Sequence, residues 1–153
     1  MQTAAAAVRR AAYVYLTGIG SCWHAALSVA PIFYRAARTV YMLDASELLQ
    51  FARLPPAAVV IVISRSGRSV EVVNLLAKAR ESGAVVIGIT NSPDGTLAQE
   101  AQIAMVVPTK QDHAISVNTY STLAAAAGAL ASWEAVTRLD CCGRKVPSRP
   151  LLP

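Results

Sequence analysis

The sequence predicts a three-layer α/β/α domain built on a five-stranded parallel sheet. Three observations point there. Residues 58 to 63 form an unbroken apolar run too short for a helix of its own, the mark of a strand buried on both faces. Comparable short runs recur along the chain, each separated from the next by an amphipathic helical stretch, and that alternation gives right-handed crossovers and a parallel sheet. Finally, 54% of the residues are hydrophobic and only 6% aromatic. This Ala- and Val-rich balance suits close helix–sheet packing and excludes a disordered chain.

Taken in order, residues 1 to 10 predict a short N-terminal helix. Residues 11 to 17 predict the first strand and Gly18-Ile19-Gly20-Ser21 its turn. A helix is expected over 22 to 38, kinked at Pro31 because proline lacks the N–H that the turn needs. A short strand follows at 39 to 43, and then a small helix with Ser46 as its expected cap, ending before Pro55-Pro56. The central strand occupies 58 to 63. A helix over 70 to 82 is closed by Gly83, and a strand over 84 to 90 runs into the turn cluster Asn91-Ser92-Pro93-Asp94-Gly95. Thr96 is the expected cap of a helical turn to 101, 103 to 107 is the fifth strand, 108 to 114 a loop, and 117 to 138 a long Ala-rich helix. The expected domain spans 11 to 139. Three prolines and a glycine in 140 to 153 predict a disordered tail.

Charge and cysteine content narrow the function classes. Up to Asp140 there are 11 basic and 9 acidic residues, a net of +2; Arg144, Lys145 and Arg149 supply the rest of the total of +5. The basicity belongs to the tail, with no stripe of arginines interleaved with aromatics, so nucleic acid is not an expected partner. No apolar segment free of charge is long enough to span a bilayer. The basic pair Arg9-Arg10 follows the first apolar run, the reverse of a signal peptide. Cys22, Cys141 and Cys142 form no disulfide framework, and with His24 and His113 they lack zinc-type spacing. A reducing cytoplasm is the expected setting, with neither metal nor cofactor.

The segment Ser64-Arg65-Ser66-Gly67-Arg68-Ser69 carries the chemistry. Three hydroxyls fall where a buried strand leaves the sheet and a helix begins, so backbone N–H groups and the positive helix end converge with side-chain donors. Gly67 lets the backbone approach a ligand. With a strand order of 2-1-3-4-5, the winding reverses between the first and third strands, and a crevice opens at their carboxyl ends. The loops there are Gly18 to Cys22 and Ser64 to Ser69, so pattern and topology choose one place. Trp23 stands where a dinucleotide fingerprint needs its third glycine, and neither a P-loop Gly-Lys-Ser/Thr nor a Gly-x-Ser-x-Gly elbow occurs. No acid, base or metal ligand lies in the segment. His24 is accounted for by helix packing and Glu71 by the helix dipole, leaving no catalytic residue assigned.

Several motifs resemble those of the SIS (sugar isomerase) domain family, in particular the first SIS repeat of glutamine–fructose-6-phosphate aminotransferase (isomerizing)-like proteins. Gly20-Ser21-Cys22-Trp23-His24-Ala25-Ala26 is similar to Gly-Ser/Thr-Ser-Tyr-His-Ala-Ala. Ala45-Ser46-Glu47 is similar to an Ala-Ser-Glu after the second strand. Residues 64 to 69 match Ser-x-Ser-Gly-x-Ser/Thr, and Thr90-Asn91 with Leu97-Ala98 resembles Thr-Asn…Ser-Leu-Ala. The resemblance implies a flavodoxin-like sheet and a phosphosugar site comprising Gly20, Ser21, Cys22, Ser64, Arg65, Ser66, Gly67 and Ser69. Val117 and Asn118 join it from a segment similar to the family's Val-Ala-Ser-Thr-Lys-Ser-Tyr-Thr.

Departures from the family pattern are Cys22 for a serine, Arg65 for a frequent Gln, and Arg68 for a frequent Glu. The family's isomerisation residues lie in a second SIS repeat and at the chain's end. The resemblance therefore implies a domain that binds a hexose phosphate or amino-sugar phosphate without turning it over, as a homodimer or beside a second SIS chain. A single-SIS isomerase working as a homo-oligomer, or the sensing domain of a transcription regulator, are the alternatives.

Overall fold

The computed structural model describes residues 1–109 and 117–137. Lys110 to Ser116, Cys141, Cys142 and the expected tail lie outside the described residues.

Eleven elements are described: α1 (Gln2–Arg10), β1 (Tyr13–Gly18), α2 (Ser21–Arg35), β2 (Tyr41–Met42), α3 (Ala45–Gln50), β3 (Ala58–Ser64), α4 (Val70–Ser82), β4 (Val85–Thr90), α5 (Thr96–Glu100), β5 (Ile103–Val106) and α6 (Val117–Thr137). The strands form one sheet in the order β2-β1-β3-β4-β5, and every neighbouring pair is parallel. The expected fold class and strand order are both present.

β3 sits at the centre, and all seven of its residues are buried. Its side chains alternate between two cores. Val59, Ile61 and Ile63 join Val14, Leu16, Ile87 and Ile89 under α1, α2 and α6. Ala58, Val60 and Val62 join Leu48, Leu75, Leu76 and Val86 on the opposite face. Buried Ala25, Ala26, Ala30, Ala127 and Ala131 bring α2 and α6 close to each other and to the sheet, which is what the Ala-rich composition is for. No helix among the described residues is long and apolar enough to cross a membrane.

Local chemistry explains where the elements depart from the expected ones. Ala11 ends α1 in an extended conformation, and its carbonyl accepts from the Arg38 guanidinium at 2.7 Å, so β1 starts two residues later than expected. The cap of α3 is Asp44, not Ser46: its carboxylate accepts from the Ser46 N–H at 2.9 Å, and Glu47 returns a bond from the Asp44 N–H at 3.2 Å, a capping box. Gly95, not Thr96, precedes α5. The second strand shrinks to two residues at the sheet edge. Pro31 stays inside α2, on the exposed side with Leu27, so the carbonyl deprived of its donor lies toward solvent. Gly83 closes α4 with φ of 75°, as its left-handed role requires.

One glycine in β4 is set by contact rather than by conformation. A Cβ on Gly88 would lie 2.8 Å from Cγ and 2.9 Å from Cδ1 of Leu97, a fully buried side chain. Gly88→Ala is expected to destabilise the domain by about 1–3 kcal/mol through overpacking. Urea denaturation checks this; a variant as stable as the parent would show that α5 sits more loosely on β4 than these distances require.

Candidate functional site

At the carboxyl ends of β1 and β3 two turns face each other across the winding reversal. The first is Ile19-Gly20. Gly20 has φ of 58° and ψ of −127°, a conformation other residues rarely adopt, and it turns the chain straight into α2. Ser21 and His24 are exposed in the first turn of that helix, and no side chain caps it. Gly18 allows the close approach: a Cβ there would lie 2.7 Å from the Cys22 carbonyl carbon.

The second turn begins one residue later than the sequence suggested, because Ser64 still pairs in the sheet, opposite Thr90. Ser64 is 3% exposed, and its Oγ accepts from the Gly67 N–H at 3.1 Å. The exposed Ser66 accepts through Oγ from the Arg68 N–H at 3.2 Å. Both oxygens serve the turn as acceptors, so each hydroxyl still has a proton to give. Gly67 is left-handed, with φ of 63°. Ser69 precedes α4 without its hydroxyl capping the helix. Two helix N-termini with uncapped donors thus open onto the same end of the sheet, an arrangement that favours an anion.

Cys22 lies in the first turn of α2. It is buried, and burial pushes its thiol up from the ordinary value; the Arg65 backbone N–H, the Ser21 hydroxyl and the Arg65 charge pull the other way. Its sulfur therefore lies within reach of both loops, and Arg65 carries positive charge to their junction. Arg65 is half-buried.

A third segment, at the end of β4, supports the second turn. The Arg65 carbonyl accepts from Thr90 Oγ1 at 3.0 Å and from the Asn91 N–H at 3.2 Å, and the Gly67 carbonyl accepts from the Leu97 N–H at 3.0 Å. Arg68 pairs with the Asp94 carboxylate and donates to the Asp94 carbonyl at 3.1 Å. Sequence reasoning missed this use of Arg68, since its partner is 26 residues away. Asn91 in turn donates to the Val107 carbonyl at 2.8 Å and to Thr122 at 3.3 Å, linking the support to β5 and α6.

Val117 and Asn118 are exposed at the start of α6. Their carbonyls accept from Ser121 at 2.7 Å and Thr122 at 2.8 Å within the helix, and no described hydrogen bond joins them to either turn. Glu71 lies in the first turn of α4. Among the described residues no group of three or more His, Cys, Asp or Glu is placed to hold a metal ion. A groove of about 560 Å³ lined by Met1, Met105, Val107, Thr122 and Ala126 lies between β5 and α6; it shares no residue with the two turns.

The SIS domain family model matches residues 8–132. The chain is 30% identical over 106 residues to glutamine–fructose-6-phosphate aminotransferase [isomerizing] of Pyrobaculum aerophilum, a match covering 69% of the chain and 18% of that protein. Among solved structures, an Escherichia coli CFT073 protein in complex with A5P superposes with a TM-score of 0.81 at 19% identity, covering 90% of this chain and 77% of the other. The C-terminal domain of glucosamine-fructose-6-phosphate aminotransferase from Francisella tularensis superposes with 0.80 at 18% identity, covering 90% and 40%. These two likenesses bear on the fold. The chain belongs to the SIS domain family, and it spans less than a fifth of the length of the Pyrobaculum aerophilum relative.

The buried thiol has a pH signature. The unfolded chain releases the Cys22 proton at lower pH than the folded chain does, so the stability that the buried thiol contributes is intact below the ordinary thiol range, about 8.5. It declines as pH rises through that range toward the raised folded value. Urea unfolding between about pH 7.5 and 9.5 is expected to show this decline, and Cys22→Ala to flatten it. An unchanged slope in the variant would place the thiol in contact with water.

Proposed function

We propose that this SIS domain binds a hexose phosphate or amino-sugar phosphate, with the phosphate held between the β1–α2 and β3–α4 turns. The observation that carries the reading is the pairing of two uncapped, hydroxyl-bearing helix starts at the winding reversal. In this reading the phosphate oxygens accept from the hydroxyls of Ser21, Ser66 and Ser69 and from the backbone N–H groups beside them. Ser64 gives its remaining proton from beneath. Arg65 supplies charge, and Gly20 and Gly67 keep the approach clear of side chains. Val117 and Asn118 belong to the proposed sugar-side wall, reached from the start of α6.

Binding is proposed without turnover. Aldose–ketose isomerisation needs a base poised between C1 and C2 of the sugar. Besides the buried Cys22, the titratable side chains in the first turns of α2 and α4 are His24 and Glu71. The first of these is exposed, and the second is accounted for by the helix dipole. A second copy, or a second SIS chain, is the proposed partner. Support comes from the outer face of α6, where Ala125 and Ala129 are exposed in line with Trp133 at 43% and Val136 at 67%, an apolar stripe. A reducing cytoplasm is the proposed setting.

Calorimetric titration with fructose 6-phosphate and glucosamine 6-phosphate tests the site. Ser21→Ala with Ser66→Ala removes two charge-assisted donors worth about 1.5–3 kcal/mol each, so affinity is expected to fall by about 100-fold or more. Unphosphorylated fructose is expected not to bind. Full affinity in the double variant would sink the assignment. Light scattering at micromolar protein is expected to give a dimer; a clean monomer would end the partner reading.

A further inference from the structure

We infer that the segment from Thr90 to Leu97 is the positioning element of the anion site, and that Gly95 is the residue on which it turns. The inference rests on the proposed reading of residues 64 to 69 as an anion loop and extends it to residues that would touch no ligand.

The contacts run along the loop one residue at a time. Arg65 gives its carbonyl to Thr90 Oγ1 and the Asn91 N–H. The Ser66 carbonyl lies directly on Gly95, where any Cβ would overlap its oxygen. Gly67 gives its carbonyl to the Leu97 N–H, and a Cβ on Gly67 would lie 2.8 Å from that of Leu97. Arg68 closes the series on Asp94. The carbonyls of residues 65, 66 and 67 are thus all drawn to the side of the 90–97 segment. In a planar trans peptide the N–H points opposite to the C=O, so the N–H groups of Ser66, Gly67 and Arg68 are turned the other way: that of Ser66 directly, and those of Gly67 and Arg68 through the Ser64 and Ser66 hydroxyls that accept from them. Carbonyl oxygens repel an anion and N–H groups attract it. The 90–97 segment therefore sets the polarity of the loop as well as its shape.

Gly95 separates shape from conformation. Its φ of −76° and ψ of 147° are open to any residue, so glycine is required there by contact, above all with the Ser66 oxygen. An alanine at 95 is free of backbone strain and displaces Ser66 first, with the Ser92 carbonyl oxygen a lighter contact at 3.3 Å. Thr90→Val is the companion change: it keeps the buried shape of the side chain and removes one donor from the Arg65 carbonyl.

The test measures both variants and the parent by hydrogen exchange of the peptide spanning residues 64 to 70 and by titration with fructose 6-phosphate and inorganic phosphate. Gly95→Ala is expected to keep the far-ultraviolet circular dichroism of the parent, to exchange faster in that peptide, and to bind fructose 6-phosphate more weakly by about tenfold or more, the scale of one lost anchoring bond to a charged group. Thr90→Val is expected to move both readouts in the same direction and by less. Parent-like exchange in both variants, or faster exchange with unchanged affinity, overturns the inference. A parent that binds neither sugar phosphate nor phosphate ends the reading of the anion site, and the exchange measurement then still decides whether the 90–97 segment holds the loop. Should Gly95→Ala not fold, Thr90→Val carries the same two readouts.

Discussion

Everything at the candidate site follows from β3 being buried along its whole length. A strand with apolar neighbours on both faces and pairing partners on both edges has no outlet for polar groups until it leaves the sheet. Where it does leave, each buried carbonyl and N–H must find a partner, since an orphan would cost about 1–3 kcal/mol. The partners come from three sources: the hydroxyls of Ser64 and Ser66 for the N–H groups of Gly67 and Arg68, the end of β4 for the carbonyls of Arg65 and Gly67, and Asp94 for the guanidinium of Arg68. The serines of the motif have a structural duty before any ligand arrives.

Topology adds the second half. β2 is sent to the edge, so β1 and β3 become neighbours although a helix, a strand and another helix separate them in sequence. Their following helices depart to opposite faces, α2 toward the core with α1 and α6 and α4 toward the other. The two helix starts are left side by side. Small residues make this close: Gly18 against the first turn of α2, Gly95 beneath Ser66.

Much of this was legible in the sequence, for physical reasons that differ from element to element. The span of α4 could be read because Gly83 is a residue whose conformational freedom is needed at one place only. β3 could be read because no polar residue interrupts it, and the crevice because the winding rule fixes it once the strand order is known. The cap of α3 was readable and misread: Asp44 and Glu47 stand three apart, the spacing of a capping box, while Ser46 drew attention as the nearer hydroxyl. The roles of Arg68 and Gly95 were not readable. Each depends on a contact between segments nearly thirty residues apart, and no local pattern announces such a partner. Cys22 stands where the family has a serine, and its burial sets it in the core under α2. Val117 and Asn118 came from the family resemblance, and the described contacts neither draw them to the turns nor exclude them from a ligand reaching outward.

The dependence of residues 65 to 68 on the end of β4 has a consequence for how the motif travels. A hexapeptide of the form Ser-x-Ser-Gly-x-Ser is not a self-standing module. Copied onto another strand–helix junction it would bring hydroxyls and a glycine, but nothing to draw its carbonyls aside, and it would relax into a polar turn with oxygens facing either way. During synthesis the same limit sets an order: the loop leaves the ribosome well before Thr90 and Gly95 do, and it takes its final shape only after β4 has paired with β3. The recognisable motif is half of a device whose other half is written later in the chain, in residues that look ordinary.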